Sequence, residues 1–196
     1  MIEHNDPRLR LCVVTDELRD GIQGLTDRVC SAERGGATMV LLRLKHADAR
    51  TLLEAAHSLI VHVQIPLLVS ERLDVAVAAG AAGVHLSPQS MPVVAVRSQL
   101  PAGMLVATSV SSVEDLAAIG DADFVTIGPV HGAGDASLGL EGFRQLAALA
   151  ALPAIAIGGM DAERARDLRA AGARGIAVIG QVMAADDPAA AVAALL

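Results

Sequence analysis

Two glycine turns near the C-terminus have residue types suited to an anion site. The apolar segment at 154–157 ends in Gly158 and Gly159, and a second apolar segment ends at Ile179 and Gly180. Because glycine has no Cβ, backbone N–H groups at such turns can approach a phosphate closely. These glycines could instead serve only to turn the chain, and the pattern alone leaves both interpretations open.

Other polar residues follow apolar segments and could complete a site for a phosphorylated small molecule. Arg43 and Lys45 could neutralise phosphate charge, or they could be exposed cations or partners of Glu71. Ser109 and Gly128 each follow a further apolar segment. We therefore interpret Arg43, Lys45, Ser109 and Gly128 as candidate ligand-binding residues.

His131 is the candidate general acid or base. It lies in the glycine-containing loop 128–139, where no core packing demands an imidazole. Asp135 and Glu141 could orient this imidazole, or could solvate the loop and cap the next helix. His85 follows Val84 within an apolar segment, which favours a hydrogen-bonded core histidine over a catalytic one.

The elements that must position these residues alternate regularly along the chain. Apolar segments predict strands at 8–14, 38–44, 66–69, 82–86, 103–108, 123–127, 154–157 and 175–180. Amphipathic segments predict helices at 21–34, 48–63, 70–79, 93–100, 113–119, 140–150 and 162–171, and after Pro188.

This alternation predicts the α/β class with an all-parallel sheet, and eight units predict closure into a compact (β/α)8 TIM barrel. An open doubly wound sheet is the alternative, but no Gly-x-Gly-x-x-Gly follows the first strand to support it. In a barrel, the carboxyl ends of all strands meet at one face, so the candidate residues are expected to converge there. The loops after the seventh and eighth strands often bind phosphate in this fold.

Composition narrows the classes of function. The 196 residues are 53% hydrophobic, which fits one domain spanning 1–196. A net charge of −7 and the absence of Trp and Tyr argue against nucleic-acid binding. The apolar segments fall short of the roughly 20 residues that a membrane helix needs, and residues 1–10 are too polar for a signal peptide. We therefore expect a cytoplasmic protein without membrane contact.

A series of short motifs covers nearly the whole chain in order. The motifs are Val13-Val14-Thr15-Asp16, Gly35-Gly36-Ala37-Thr38, Leu42-Arg43-Leu44-Lys45, Gly83-Val84-His85-Leu86, Gly128-Pro129-Val130, Gly139-Leu140-Glu141-Gly142 and Ile157-Gly158-Gly159-Met160. This ordered set resembles the thiamine-phosphate synthase and TenI superfamily.

The resemblance implies a TIM barrel of thiamine biosynthesis, usually a homodimer, that holds a thiazole phosphate at Gly158, Gly159, Ile179 and Gly180. In the synthase branch, an aminopyrimidine diphosphate joins the thiazole phosphate through a pyrimidine cation, and two aspartates hold Mg²⁺. In the TenI branch, a histidine in the loop after the sixth strand tautomerises a thiazole without a metal.

Departures from the synthase pattern fall on the diphosphate side. Ser70-Glu71-Arg72 replaces Asn-Asp-Arg, Ser90 stands in place of the second aspartate, and the loop after the sixth strand has no lysine. We therefore expect a TenI-like tautomerase with His131 moving the proton and no cofactor. The alternatives are a divergent synthase, in which Glu71 holds a weak Mg²⁺ site beside Arg43 and Lys45, and a non-catalytic regulatory protein that binds the same phosphate ligand.

Overall fold

The computed structural model describes residues 2–132 and 137–196, and its strands close into a barrel. The strands are β1 Leu11–Val14, β2 Met39–Leu42, β3 Leu67–Ser70, β4 Gly83–Leu86, β5 Leu105–Val110, β6 Phe124–Ile127, β7 Ala154–Ile157 and β8 Gly175–Val178. Each strand pairs in parallel with the next, and β8 pairs with β1. The predicted (β/α)8 barrel is confirmed, and the open sheet is excluded.

Helices follow the strands around the outside of the barrel. They are α1 Gly21–Arg34, α2 Ala49–His62, α3 Leu73–Ala79, α4 Val93–Arg97, α5 Gly139–Ala150, α6 Ala162–Ala170, α7 Gly180–Met183 and α8 Pro188–Ala193. A short 3₁₀-helix, Glu114–Ala118, follows β5 where the sequence predicted an α-helix. Of the helices in the described ranges, none combines the length and the apolar character needed to cross a membrane.

Several element boundaries differ from the predicted ones for local reasons. β1 begins at Leu11 because Pro7–Leu9 forms a 3₁₀-helix, capped by the Asp6 side chain. Helix α3 begins only at Leu73, because Glu71 adopts a left-handed backbone conformation with φ of 65°. β8 ends at Val178, since Ile179 is already the N-cap residue of α7.

The core has two shells separated by the barrel wall. Outward-facing strand residues pack against the helices, while side chains inside the barrel form a second cluster that includes Cys12, Met39, Leu68 and Phe124. Strands buried on both faces explain the nearly continuous apolar runs in the sequence. Burial raises the pKa of the Cys12 thiol to about 12, which makes it an inert structural residue.

Candidate active site at the carboxyl ends of the strands

A central cavity of about 640 Å³ opens at the carboxyl ends of the strands. One side of it is polar, with Ser70, His85 and Ser109 from β3, β4 and β5. The other side is apolar and is lined by Val14, Leu41, Ile157 and Ile179. A cavity with one apolar wall and a few directed polar groups is typical of a site for a small organic molecule.

His85 is buried beneath the polar side of this cavity and is hydrogen-bonded. Its Nε2 atom lies 2.8 Å from Oγ1 of Thr126, which in turn lies 3.2 Å from Oγ of Ser109. Burial lowers the pKa of His85 to about 4, nearby Arg43 acts in the same direction, and the charge of Glu71 opposes both. The imidazole is therefore neutral at pH 7, as expected for a core histidine, although it also lines the cavity.

Arg43 and Lys45 both line the central cavity. The buried hydroxyl of Thr15 fixes the backbone here, accepting the Arg43 N–H at 2.8 Å and donating to the Arg43 carbonyl at 3.2 Å. Within the described ranges, neither cation forms an ion pair, and the predicted alternative of pairing with Glu71 is not observed. Arg72 differs, because its guanidinium binds the carboxylate of Asp74 at 2.5 Å. Arg43 and Lys45 thus remain available to an anionic ligand.

Glu71 joins the loop after β3 to the loop after β4. Its Oε1 atom accepts the Ser87 N–H at 2.8 Å, and its Oε2 atom accepts a hydrogen bond from the Ser90 hydroxyl. We call these three residues the Glu71 clasp. A non-glycine residue with positive φ costs on the order of 1–3 kcal/mol. The clasp and a 2.9 Å hydrogen bond from the Glu71 N–H to the His85 carbonyl hold Glu71 in that conformation.

The donor set at this position does not fit a magnesium site built from protein carboxylates. Among the described residues, Glu71 is the sole carboxylate that lines the central cavity, and both of its oxygens already accept hydrogen bonds. No group of three or more His, Cys, Asp or Glu side chains in that part of the chain could hold a metal. Mg²⁺ demands octahedral oxygen geometry and is usually held by one or two carboxylates together with substrate phosphates, whereas the one carboxylate here is engaged within the protein.

The two predicted glycine turns meet in a small cavity of about 180 Å³. Its lining residues are Gly158, Gly159, Met160, Ala177, Val178, Ile179, Gly180 and Gln181. Ile179 lines both this small cavity and the central cavity. The structure therefore brings Gly158, Gly159, Ile179 and Gly180 together, beside the apolar side of the central cavity.

The turn after β7 has each of its carbonyl groups held by a protein donor. The Ile157 carbonyl accepts the Val130 N–H at 2.8 Å, and the Gly158 carbonyl accepts the His131 N–H at 3.2 Å. The Gly159 carbonyl accepts from Nη1 of Arg164 at 2.7 Å. Because C=O and N–H point in opposite directions across a trans peptide, the following N–H groups point away from these donors. Successive N–H groups in such a turn form a concavity suited to anions.

The glycines of the two turns are required for different reasons. A Cβ atom on Gly159 would lie 2.6 Å from the His131 carbonyl oxygen, and one on Gly158 would lie 2.9 Å from Cα of Pro129. Both also have positive φ, +106° and +60° for Gly158 and Gly159. Backbone conformation and packing therefore require glycine at both positions, and a second role in anion binding stays a prediction. Gly180 differs, because a Cβ there would meet nothing within 4 Å, so packing does not explain it.

His131 and Gly128 lie outside the lining of both cavities. The His131 backbone packs against Gly158 and Gly159, and a Cβ on Gly128 would lie 2.2 Å from the Ile157 carbonyl oxygen. Glu141 contacts Arg144 and Gln145 on its own helix, while Asp135 lies outside the described residues. The role of His131 in proton transfer therefore stays a prediction.

Sequence reasoning missed the partners that hold the site. Thr126 is a polar residue in an otherwise apolar strand, two positions after the inward-facing Phe124, and that alternation could have identified it. Thr15 stands in one of the family motifs, but nothing in the sequence marks its hydroxyl as a backbone anchor. Nothing in the local sequence indicates that Arg164 reaches the Gly159 carbonyl.

The fold and the site define the chain as a (β/α)8 barrel with a cavity at the carboxyl ends of its strands. A family model described as thiamine monophosphate synthase matches residues 11–182. The thiamine-phosphate synthase of Azorhizobium caulinodans is 41% identical over 189 residues, covering 91% of this chain and 89% of that protein. The thiamine-phosphate synthase of Methanoculleus marisnigri is 40% identical over 195 residues, covering 94% and 92%. The chain belongs to the thiamine monophosphate synthase family.

A solved structure agrees with this assignment. Thiamine phosphate pyrophosphorylase from Pyrococcus furiosus matches with a TM-score of 0.86 at 33% identity, covering 96% of this chain and 94% of that one. The resemblance found in the sequence is confirmed at the level of the superfamily. The names of these relatives support the synthase alternative better than the expected TenI-like tautomerase.

Proposed function

We propose that this chain is a thiamine-phosphate synthase that joins a thiazole phosphate to an aminopyrimidine diphosphate. The observation that carries the proposal is the presence of two anion-compatible ends in adjoining cavities. One end is the small cavity between the β7 and β8 turns, and the other is formed by Arg43 and Lys45, which have no ion-pair partner in the described ranges. A condensation of two phosphorylated substrates places a phosphate group at each end, and a diphosphate suits two cations better than the single carboxylate of a tautomerase substrate does.

The thiazole phosphate would bind with its phosphate in the small cavity. The N–H groups of Gly159 and Gly180 would donate to it, and the thiazole ring would lie against Ile157 and Ile179 on the apolar side of the central cavity. Gly180 supports this placement, since the space where its Cβ would stand is open. Glycine at such a position lets backbone and ligand approach closely.

The aminopyrimidine diphosphate would bind on the polar side, with its diphosphate near Arg43 and Lys45. In the reaction, the C–O bond to the diphosphate breaks and the thiazole nitrogen forms a bond to the same methylene carbon. The two cations would stabilise the charge that develops on the leaving diphosphate. His85, kept neutral by a pKa of about 4, would add no positive charge beside the developing pyrimidine cation.

Thiazole tautomerisation is the second candidate function. It is supported by the position of His131, whose N–H donates to the Gly158 carbonyl at 3.2 Å, directly beside the proposed phosphate turn. In this function, His131 would act as general acid or base, and Arg43 and Lys45 would bind the carboxylate of the thiazole carboxylate phosphate. We also propose, from the family resemblance, that the chain forms a homodimer. Light scattering at several protein concentrations tests this oligomeric state.

The test is an assay with both substrates that measures thiamine phosphate and pyrophosphate, with Mg²⁺ and with EDTA. Equimolar formation of both products supports the synthase. In parallel, the thiazole carboxylate phosphate tautomer is followed with the wild type and with His131→Ala. Aromatisation that only the wild type accelerates, without any condensation, would replace the synthase by the tautomerase. Tight binding of thiazole phosphate without either reaction would indicate the non-catalytic regulatory alternative.

A further inference from the structure

Arg164 lies on the first turn of α6, outside both cavities, yet its side chain reaches the turn between β7 and α6. Nη1 donates to the Gly159 carbonyl at 2.7 Å, and Nε lies 3.3 Å from Oδ2 of Asp161. Asp161 itself caps α6 by accepting the Arg164 N–H at 2.9 Å. The guanidinium is thus held at one end by the helix cap and contacts the glycine turn at the other.

The bond to Gly159 differs from those made by its two neighbours in the turn. The Ile157 and Gly158 carbonyls are held by backbone N–H groups of Val130 and His131, whereas the Gly159 carbonyl is held by a side chain. Gly159 has a φ of +60°, and glycine populates both signs of φ at little cost. Without a partner for its carbonyl, the peptide between Gly159 and Met160 has more than one accessible orientation.

From this geometry we propose that Arg164 is a positioning residue for the anion site. By holding the Gly159 carbonyl, Arg164 turns the Met160 N–H to the opposite side of the peptide plane, toward the small cavity that Gly159 and Met160 line. The charged donor makes this a stronger bond than a neutral one. The inference rests on the proposed phosphate binding in the small cavity, and it assigns a residue that would not touch the ligand.

The first experiment uses inorganic phosphate as the probe and ¹⁵N-labelled full-length protein. In the wild type, phosphate should shift the amide signals of Gly159 and Met160, and Arg164→Ala should need about tenfold more phosphate for the same shift. Arg164→Lys, which retains a charged donor, should recover part of the affinity. Arg166→Ala is the matched control, since Arg166 is exposed on the same helix.

Equal phosphate affinity in the wild type and Arg164→Ala would overturn the inference, and so would the absence of any shift at Gly159 and Met160 in the wild type. Loss of affinity in Arg166→Ala as large as that in Arg164→Ala would overturn it too, because the effect would then be one of surface charge. Calorimetry with the thiazole phosphate separates the two proposals. A chain that binds inorganic phosphate through Arg164 but not the thiazole phosphate contradicts the proposed function alone.

Discussion

The Ser90 hydroxyl donates a hydrogen bond to Oε2 of Glu71, across 19 positions of sequence, and so joins the loops after β3 and β4. The family resemblance implies that synthases carry metal-binding aspartates at both of these positions. Here, one carboxylate and one hydroxyl bind each other instead. The edge of the cavity between these loops is therefore closed by a hydrogen bond within the protein.

Ser90→Ala should destabilise the fold, because it leaves one oxygen of Glu71 without its donor while Glu71 keeps a left-handed backbone. The expected loss in the free energy of unfolding is about 0.5–1.5 kcal/mol, since water can reach the exposed Glu71, and urea denaturation measures it. Ser98→Ala, at an exposed position in the same region, should cost about 0.5 kcal/mol or less. Equal losses in the two variants would show that the clasp does not stabilise the fold.

Gly159→Ala and Gly180→Ala should separate packing from binding. Alanine at 159 meets the His131 carbonyl oxygen at 2.6 Å in a left-handed conformation, so this variant should lose about 2 kcal/mol or more of stability. Alanine at 180 meets no atom within 4 Å, so its melting temperature should be nearly unchanged. Its affinity for thiazole phosphate should still fall about tenfold or more, because the added methyl group would stand beside the proposed phosphate, on a residue that lines the small cavity. Unchanged affinity in Gly180→Ala would contradict the proposed phosphate position.

His85 should make the fold less stable in acid. Its pKa is lowered from 6.5 to about 4 by burial, so between these values the unfolded chain binds more protons than the folded one. Stability then falls as pH falls from 6.5 to 4, by up to about 3 kcal/mol for this group. His85→Gln should show a smaller loss than the wild type between pH 7 and 4 in urea denaturation. The exposed His57→Gln should follow the wild type, and identical profiles for all three proteins would contradict the prediction.

The double variant with Arg43→Ala and Lys45→Ala should weaken the binding of one substrate only, the aminopyrimidine diphosphate. Because both cations line the central cavity without an ion-pair partner in the described part of the chain, the KM for the aminopyrimidine diphosphate should rise about 10- to 100-fold. The KM for the thiazole phosphate should change little, and Arg50→Ala, exposed on α2, should change neither. Equal increases in the KM values of both substrates would mean that their phosphate groups do not bind at two separate places in the site.

The barrel could be predicted from the sequence because its signals are local. Strands buried on both faces read as short apolar runs, and α1 and α2 carry regular 3.6-residue patterns, with the Asp48 side chain capping α2. The glycines in the sequence also indicated where β7 ends and where α7 begins. Each of these features is decided by a few neighbouring residues.

The contacts that shape the site could not be predicted in this way. The clasp joins Glu71 to Ser90, and Thr126 reaches His85 from β6 to β4. Closure of the barrel and the register of its strands bring these residues into contact, although they are far apart in the sequence. His131 shows the reverse case, because a histidine in a functional-looking loop has its backbone packed against Gly158 and Gly159 and its side chain outside the lining of either cavity.

A crystal structure with bound thiazole phosphate tests the central claim most directly. The account predicts the phosphate in the small cavity, within hydrogen-bonding distance of the Gly159 and Gly180 N–H groups, with the thiazole ring against Ile157 and Ile179. Arg43 and Lys45 should remain free for the second substrate. A phosphate bound by Arg43 and Lys45 instead, with the small cavity left empty, would contradict the account.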